Sequence, residues 1–512
     1  HRPHYFPCLN DSTLPRVKTH ISDPGCDQPA IETRYEYDEN DYNFLGRGSG
    51  VSWNDDGLDN LYRARSDYQY ETTQILWDAE IDKAVSRTRR VFNRFHLLTL
   101  EETTQHSTDP DKGDTYHRID TDYYIKPDLS FEEQDPYCQL PKSVTKTWRR
   151  ANTTTPRHVE TVATTYDDFG NLLTQVNANG VTETSEWYDK AGEQDEQGRW
   201  LCPADPQGFV RNLKSKTVTP ATSDHGKAPT LQTRYRYGEH PGLTGSGPWL
   251  ALSDETLAQM IDGRAVTELR RIDHEYIIAP EAPQKHGLIS KVLRTLHGRP
   301  ETLTTTRYSY CITSNARSGA MVMRTTNEQI GFDDNIDEGK PIRRVIAEEQ
   351  SLLTGDTLLS EDDNDAKIAS VHDRLGRVIE EIVAPDSTEY KASRTYTYTL
   401  TNALGQQATQ STCDVKDVET ITYLDGLNRV IRETRRDADA LGGDAKKYRE
   451  IYRATYNNRG QLISETSIDW EDEKDIPLTS EYQYDAWGEQ CRVVGPDGVA
   501  QVSERDPPTQ TL

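Results

Sequence analysis

The sequence predicts an all-β protein made of consecutive antiparallel hairpins, with few short helices. Two observations lead to this prediction. The 512 residues include 27 Tyr and 8 Trp but only 8 Phe and 3 Met, and hydroxylated aromatic side chains suit a half-wetted pleated sheet better than a thick apolar core. In addition, one turn-like motif recurs between segments in which polar and aromatic residues alternate, as expected of β-strands.

The recurring motif is usually an aromatic residue, then Asp or Asn, two or three free positions, Gly or Asn, a polar residue and aliphatic residues. An Asp or Asn side chain can bond the backbone two residues on, and Gly or Asn tolerates the positive φ of a hairpin loop. The motif therefore predicts hairpin turns. The motif occurs in six copies. The residues predicted to form their turns are Tyr166, Asp167 and Gly170; Tyr188, Asp189 and Gly192; Asp373 and Gly376; Asp425 and Asn428; Tyr456, Asn457 and Gly460; and Tyr484, Asp485 and Gly488.

The segments on either side of the motif are predicted to be strands. Approach segments are rich in Thr and Tyr, as in 161–166 and 480–484, and return segments are polar and aliphatic, as in 460–466. A second kind of turn, at 177–180 and 495–498, follows a return segment. Residues 1–160 are predicted to be a divergent β-rich part, and 161–512 to be the repeat region with loop insertions.

One short helix is predicted over 253–262, because Leu257, Met260 and Ile261 would share a helical face and Gly263 would end it. Segments 203–208 and 238–248 are rich in Pro and Gly, and 361–365 is acidic. We expect these three segments to be exposed connections.

The charge balance is acidic, with 59 basic and 85 acidic residues and a net charge of -26. Such a surface repels nucleic acid and anionic lipids, so we expect no nucleic-acid partner and no direct membrane insertion. Solvation of exposed strands explains the acidity, and attraction of a basic partner is the alternative. The chain opens with HRPHYFPC, without Met or an apolar signal, which indicates a piece of a longer or processed protein and leaves the export route open.

The seven cysteines are scattered and none forms a CxxC pair, so neither a disulfide framework nor a zinc site is expected, and no cofactor is predicted. No metalloprotease, P-loop or nucleophile-elbow motif occurs. Asp373, Asp425 and Asp485 share one turn context, which favours a structural role over a catalytic one. Tryptophans could stack on sugars if exposed, although cross-strand packing is the commoner role; examples are Trp148, Trp187, Trp200 and Trp249.

With these motifs in view, the sequence resembles the RHS/YD-repeat family, whose hallmark is a YDxxGRL-type motif followed by a strand and a PDG-type turn. Residues 372–378 and 482–498 match best, and most of the resemblance lies from about Asp365 onward. The resemblance implies a β-ribbon that spirals into a hollow shell. In the B and C components of insecticidal Tc toxin complexes, and in bacterial polymorphic toxins, such shells encapsulate a toxin domain, whereas teneurins use a related barrel for cell-surface adhesion.

The resemblance thus implies a non-catalytic shell that encloses a toxin polypeptide and helps to deliver it, with other toxin-complex subunits as partners and a location outside the bacterium that releases it. A cell-surface adhesion or carbohydrate-binding protein is the alternative. The sequence reaches Asp506 and Pro507 without the DPxG-type signature of self-cleaving shells, so neither a cleavage segment nor a cargo domain is assigned to it. The net charge predicts an acidic inner wall that would hold a basic, unfolded cargo.

Overall fold

The computed structural model describes residues 4–5, 13–14, 16–40, 42–51, 57–107, 113–151, 157–223, 226, 228–331, 342–401, 406–437, 447–471 and 473–510. The chain divides into two compact units. Unit one comprises His1–Thr164 and Thr397–Leu512, and unit two comprises Thr165–Tyr396. Unit one therefore contains both the divergent N-terminal part and the last repeats, although these lie far apart in the sequence.

The first part of unit one is an antiparallel meander. Its strands are β1 (His4–Tyr5), β2 (Thr13–Leu14), β3 (Thr19–Ser22), β4 (Ile31–Tyr37), β5 (Gln69–Asp78), β6 (Lys83–Asn93), β7 (Leu98–Gln105), β8 (Thr115–Tyr123), β9 (Pro141–Arg150) and β10 (Arg157–Tyr166). Strand β1 pairs with β2, and consecutive strands from β3 to β10 pair with one another. Two 3-10 helices occupy Asn60–Arg63 and Phe131–Glu133.

Unit two continues with the same architecture. Each strand pairs antiparallel with its neighbour, except that the small β13–β14 hairpin is inserted between the paired strands β12 and β15. The strands are β11 (Leu172–Val176), β12 (Thr182–Trp187), β13 (Glu193–Gln194), β14 (Trp200–Cys202), β15 (Leu213–Thr219), β16 (Thr230–His240), β17 (Trp249–Ile261), β18 (Arg264–Tyr276), β19 (Ile289–Leu296), β20 (Arg299–Ser314), β21 (Met321–Gly331), β22 (Ile342–Ser351), β23 (Thr357–Glu361), β24 (Lys367–His372), β25 (Val378–Val383) and β26 (Ala392–Thr399).

The second part of unit one is another meander, in which each strand again pairs antiparallel with the next. Its strands are β27 (Ala408–Cys413), β28 (Glu419–Leu424), β29 (Val430–Arg436), β30 (Tyr448–Tyr456), β31 (Leu462–Glu471), β32 (Lys474–Tyr484), β33 (Gln490–Val494) and β34 (Ala500–Val502). The predicted all-β antiparallel hairpin fold is confirmed, and within the ranges given above no α-helix occurs.

The sheets have little apolar core. All six residues of β28 are half-buried, so both faces of this strand are partly wetted. In β10 the exposed and half-buried residues simply alternate. A cluster of buried apolar side chains forms in unit one around Leu61, Ala64, Tyr68 and Tyr70. The Tyr- and Thr-rich composition is thus explained by strands that bury neither face completely.

The helix predicted over 253–262 is wrong, because these residues lie mainly in strand β17. The buried side chains of Asp254, Thr256 and Ala258 recur with the period of two of a strand, and β17 pairs along its length with β16 and β18. Asp262 and Gly263, with φ of 50° and 74°, form a two-residue hairpin loop. Sheet pairing on both sides outweighs the weak helical periodicity of this segment.

Of the three segments predicted to be exposed connections, some residues lie in strands. Residues 203–208 and 362–365 are turns or loops, whereas Gly238 lies inside β16. The six cysteines that the structure describes are all unpaired, and Cys8 lies outside the described residues. No helix among the described residues is both long and apolar enough to cross a membrane.

Candidate functional site: the repeated hairpin turn

The repeated turn is built from hydrogen bonds within five residues. In the copy at Asp425, the backbone N–H of Asp425 donates to the carbonyl of Arg429 at 3.0 Å, and the N–H of Asn428 donates to the carbonyl of Asp425 at 3.0 Å. The Oδ1 atom of Asp425 accepts the N–H groups of Leu427 and Arg429 at 2.9 and 3.0 Å. Asn428 has a φ of 60°, which a residue other than Gly, Asn or Asp adopts only with strain.

Five of the six predicted copies have the same four hydrogen bonds, and their first residues are Asp167, Asp373, Asp425, Asn457 and Asp485. The sixth copy is shorter. Asp189 accepts the N–H of Ala191 on its side chain and that of Gly192 on its carbonyl, and the chain then enters β13. Gly192 packs directly against the backbone of Cys202, where a Cβ atom would collide.

The fifth residue of the motif completes the pairing of the first. In the two copies with Arg at this position, its Nε donates to the Oδ2 atom of the Asp, at 2.8 Å for Asp373 and 2.7 Å for Asp425. Where the first residue is Asn457, the polarity reverses, and its Nδ2 donates to Oε1 of Gln461 at 3.0 Å. Except in the copy at Asp485, whose fifth residue is Glu489, the two positions are therefore chemically matched, which explains the Arg in the YDxxGR pattern.

The electrostatic consequence is clearest at Asp373. The side-chain hydrogen bond from Arg377, followed by the backbone N–H groups of Arg377 and Leu375, lowers the pKa of Asp373. These donors favour the ionised carboxylate. The carboxylates of Asp373, Asp425 and Asp485 are thus occupied by the N–H groups of their own turns.

The aromatic residue before the turn ties one hairpin to the preceding one. The hydroxyl of Tyr456 donates to the carbonyl of Val430 at 3.1 Å, and that of Tyr484 donates to Leu462 at 2.8 Å. Val430 and Leu462 are the first residues of return strands β29 and β31. Each bond therefore joins the end of one approach strand to the start of the previous return strand.

Other aromatic residues make the same kind of connection. Tyr123 bonds the first residue of β7, Tyr310 the first residue of β19, and Trp187 uses its indole N–H to bond the first residue of β11, each at 2.9 Å. Tyr188 follows β12 and bonds a carbonyl within β16, and its burial raises its pKa. Tyr166 is the last residue of β10.

Four further turns with the complete set of four hydrogen bonds were not predicted. They begin at Asn93, Asp195, Asp362 and Asp414. Their fourth residues, His96, Gly198, Asp365 and Asp417, all have positive φ. A search for Asp or Asn followed three positions later by Gly, Asn, Asp or His would have found them. Favouring a preceding aromatic residue and accepting only Gly or Asn near the end of the turn was too restrictive.

The second kind of turn has the same backbone hydrogen bonds but a different side chain supporting them. At 177–180 and 495–498 the first residue bonds the fifth, and the fourth bonds the first. Here the third residue accepts the N–H of the fifth, through Asn179 at 3.1 Å and Asp497 at 3.0 Å. The turns at 177–180 and 495–498 thus have the same five-residue backbone loop as the repeated turn.

Three of the repeated turns also hold the two parts of unit one together. They belong to the second meander, and each hydrogen-bonds the N-terminal part of the chain. The bonds run from Gly426 N–H to the Pro24 carbonyl (2.7 Å), from Tyr456 N–H to Gln28 Oε1 (3.0 Å), and from Thr115 Oγ1 to the Ala486 carbonyl (2.7 Å). Thr115 is completely buried. We call this contact between the two parts of unit one the seam.

The candidate sugar-stacking tryptophans have mixed surroundings. Trp148 stacks between His117 and His158, with ring centroids 4.9 and 5.3 Å away on neighbouring strands. Trp249 donates its indole N–H to the carbonyl of Pro241. Trp200 is 52% exposed. Within the described ranges, no group of three or more His, Cys, Asp or Glu side chains is arranged to hold a metal ion.

Comparison with known proteins gives only distant likenesses. No protein-family model matches the chain, and no curated protein does so. Among solved structures, TcdB2–TccC3 without its hypervariable C-terminal region is 10% identical with a TM-score of 0.33, covering 91% of this chain and 26% of that chain. TcdB2–TccC3–TEV is 10% identical with a TM-score of 0.34, covering 97% and 27%. The Tc holotoxin pore of Photorhabdus luminescens is 12% identical with a TM-score of 0.21, covering 83% and 26%.

The chain therefore spans about a quarter of the length of these solved structures. Identities and TM-scores of this size describe a distant likeness of fold.

Proposed function

We propose that this chain forms part of the wall of an RHS-type β-shell that encloses a toxin polypeptide and helps to deliver it, in company with other toxin-complex subunits. The observation on which the proposal depends is the succession of hairpins closed by one turn chemistry without a thick core. A sheet whose two faces are both half-wetted, as in β28, suits a partition between two aqueous spaces. A globular enzyme would instead bury one face of each sheet.

The burial of the strands supports this interpretation, since most of the strand residues that the structure describes are half-buried or exposed. Such a sheet needs a source of rigidity other than an apolar core.

The repeated turns supply that rigidity. Each complete turn is closed by two backbone hydrogen bonds and two to the Asp or Asn side chain, and each tyrosine tie, a hydroxyl bond such as that of Tyr456 or Tyr484, joins one hairpin to the preceding one. A hydrogen bond of this kind contributes about 1 kcal/mol net, so the contribution grows with the number of repeats. The stability of the sheet then depends on neighbour contacts along the ribbon, as in other repeat proteins.

Electron cryomicroscopy of the natural full-length gene product would test the proposal. We expect a β-walled particle with a hollow interior that contains polypeptide density, and protease should cut that polypeptide only after the wall is opened by denaturant. A solid particle, or an enclosed segment that is cut at the same rate in the intact protein, would contradict it. The same map would test the acidic inner wall, because a neutral or basic lining refutes that part.

Adhesion through sugar binding is the second candidate function, and the exposed ring of Trp200 is the observation that favours it. A glycan array with the natural protein and the Trp200→Ala variant separates the two. Binding that depends on Trp200 supports adhesion. No binding above background leaves enclosure as the better supported function.

A further inference from the structure

A cavity of about 330 Å³ lies on the seam of unit one. It is formed where the turn at 485–488 meets the ends of β7 and β9, beside β33 and the residues that follow β34. The buried hydrogen bond from Thr115 to the carbonyl of Ala486 fixes the position of this turn against the N-terminal meander. The cavity volume is at the lower end of the range for small-molecule sites.

The lining of this cavity is unusually basic for a chain with a net charge of -26. Four arginines line it, and Arg150 pairs with Asp506 at 3.0 Å. Among the residues that the structure describes, Arg459, Arg492 and Arg505 have no carboxylate oxygen within the 4.0 Å that defines an ion pair. Three guanidinium groups are therefore available to an anion.

The two carboxylates of the lining, Asp485 and Glu504, cancel only part of this charge. Asp485 accepts the N–H groups of Trp487 and Glu489 at 2.8 and 3.0 Å within its own turn and keeps its negative charge. Because Asp506 neutralises Arg150, three arginines remain against these two carboxylates. The net local charge is positive, and the partly enclosed position reduces screening of that charge by salt.

A ligand that satisfies the three guanidinium groups must have anionic oxygens, which accept hydrogen bonds from their N–H groups. Arginine is also the side chain best suited to phosphate and carboxylate recognition.

We propose that the seam cavity binds a small oxyanion, a molecule with a phosphate or carboxylate group. Arg459 comes from the repeat turn at 457–460, Arg492 from β33 and Arg150 from β9 of the N-terminal meander. A bound anion would therefore contact both parts of unit one. Binding stabilises the folded form of unit one, because the assembled site exists only there.

Isothermal titration calorimetry and thermal unfolding of the natural protein, with glucose 6-phosphate, citrate and glucose as probes, test the proposal. We expect one of the two anions to bind and to raise the melting temperature beyond sodium chloride of equal ionic strength, while glucose does neither. Tighter binding of glucose 6-phosphate assigns the site to phosphate esters, and tighter binding of citrate assigns it to hydroxycarboxylates. No binding of either anion overturns the proposal.

Variants locate the site. Arg492→Gln should weaken binding about tenfold and Arg505→Gln about threefold, whereas Glu504→Gln should tighten it about twofold by removing a repulsive charge. Arg264→Gln is the matched control, since Arg264 is an exposed arginine at the β17–β18 hairpin. Circular dichroism checks that each variant is folded, and the gain from Glu504→Gln does not depend on any loss of folding. Equal affinity for all four variants would refute this location.

Discussion

Replacing Asp425 by Ala should destabilise unit one by about 3 kcal/mol. The side chain is fully buried and accepts two backbone N–H groups and the Arg429 guanidinium. Removing one partner of a buried ion pair costs about 3–5 kcal/mol. The lower end applies because Arg429 is 16% exposed and its guanidinium still lies 4.1 Å from the ring centroid of Tyr456.

The chain itself provides the compensating variant. Asp425→Asn keeps the two backbone hydrogen bonds but presents an amide N–H₂ to the arginine, and should cost about 2 kcal/mol. Adding Arg429→Gln recreates the natural pair of Asn457 and Gln461. The double variant should recover more than half of that loss, because the amide oxygen introduced at position 429 would accept the hydrogen bond that the new amide at position 425 donates.

Urea unfolding followed by tryptophan fluorescence measures the free energies, and hydrogen exchange over 419–436 shows whether the loss is local to the turn. Asp195→Ala is the matched control, since that turn has the same four hydrogen bonds but its partner Arg199 is 74% exposed. We expect a smaller loss for the control. A double variant no more stable than Asp425→Asn, or a loss below about 0.5 kcal/mol for Asp425→Ala, would refute the reasoning.

Three further predictions concern the tyrosine ties, a hairpin loop and a titrating turn. Tyr484→Phe removes the bond to the start of β31 and should cost about 1 kcal/mol in urea unfolding, whereas Tyr390→Phe, at a ring that is 70% exposed, should be neutral. Gly263→Ala should cost about 1 kcal/mol because of its φ of 74°, and Gly247→Ala, which has open space and no positive φ, should not. The pKa of Asp373 is lowered from its ordinary 3.8, so its stabilisation is present above pH 3.8 and is lost as the pH falls through the lower folded value. Asp373→Asn should therefore flatten the acid limb of the stability profile of unit two, and an unchanged limb would contradict this.

The repeated turns could be found in the sequence because their chemistry is local. All four hydrogen bonds of the Asp425 turn lie within five residues, so the residue types at fixed offsets are sufficient to identify it. The same reasoning missed Asp414 and Asp362, since a positive φ at the fourth position is available to Asp as well as to Gly. The motif had been defined by its commonest members rather than by what the backbone requires.

Segment 249–261 shows where local reasoning fails. A helical face and a strand face can be drawn through the same residues, and the pairing of β17 with two neighbours decides between them. The Asp262–Gly263 pair was the better signal, because two adjacent residues of positive φ fit a hairpin loop.

The sequence by itself determined the all-β class, the turns that carry the recurring motif and the alternation within strands, because each depends on neighbours along the chain. Only the tertiary structure decided which distant parts meet. Thr115 and Ala486 are 371 residues apart, and neither a threonine nor an alanine indicates its partner. The arginines of the seam cavity likewise become a cluster only when two meanders are docked, since hydrogen bonds and charges between remote segments leave no fixed spacing in the sequence.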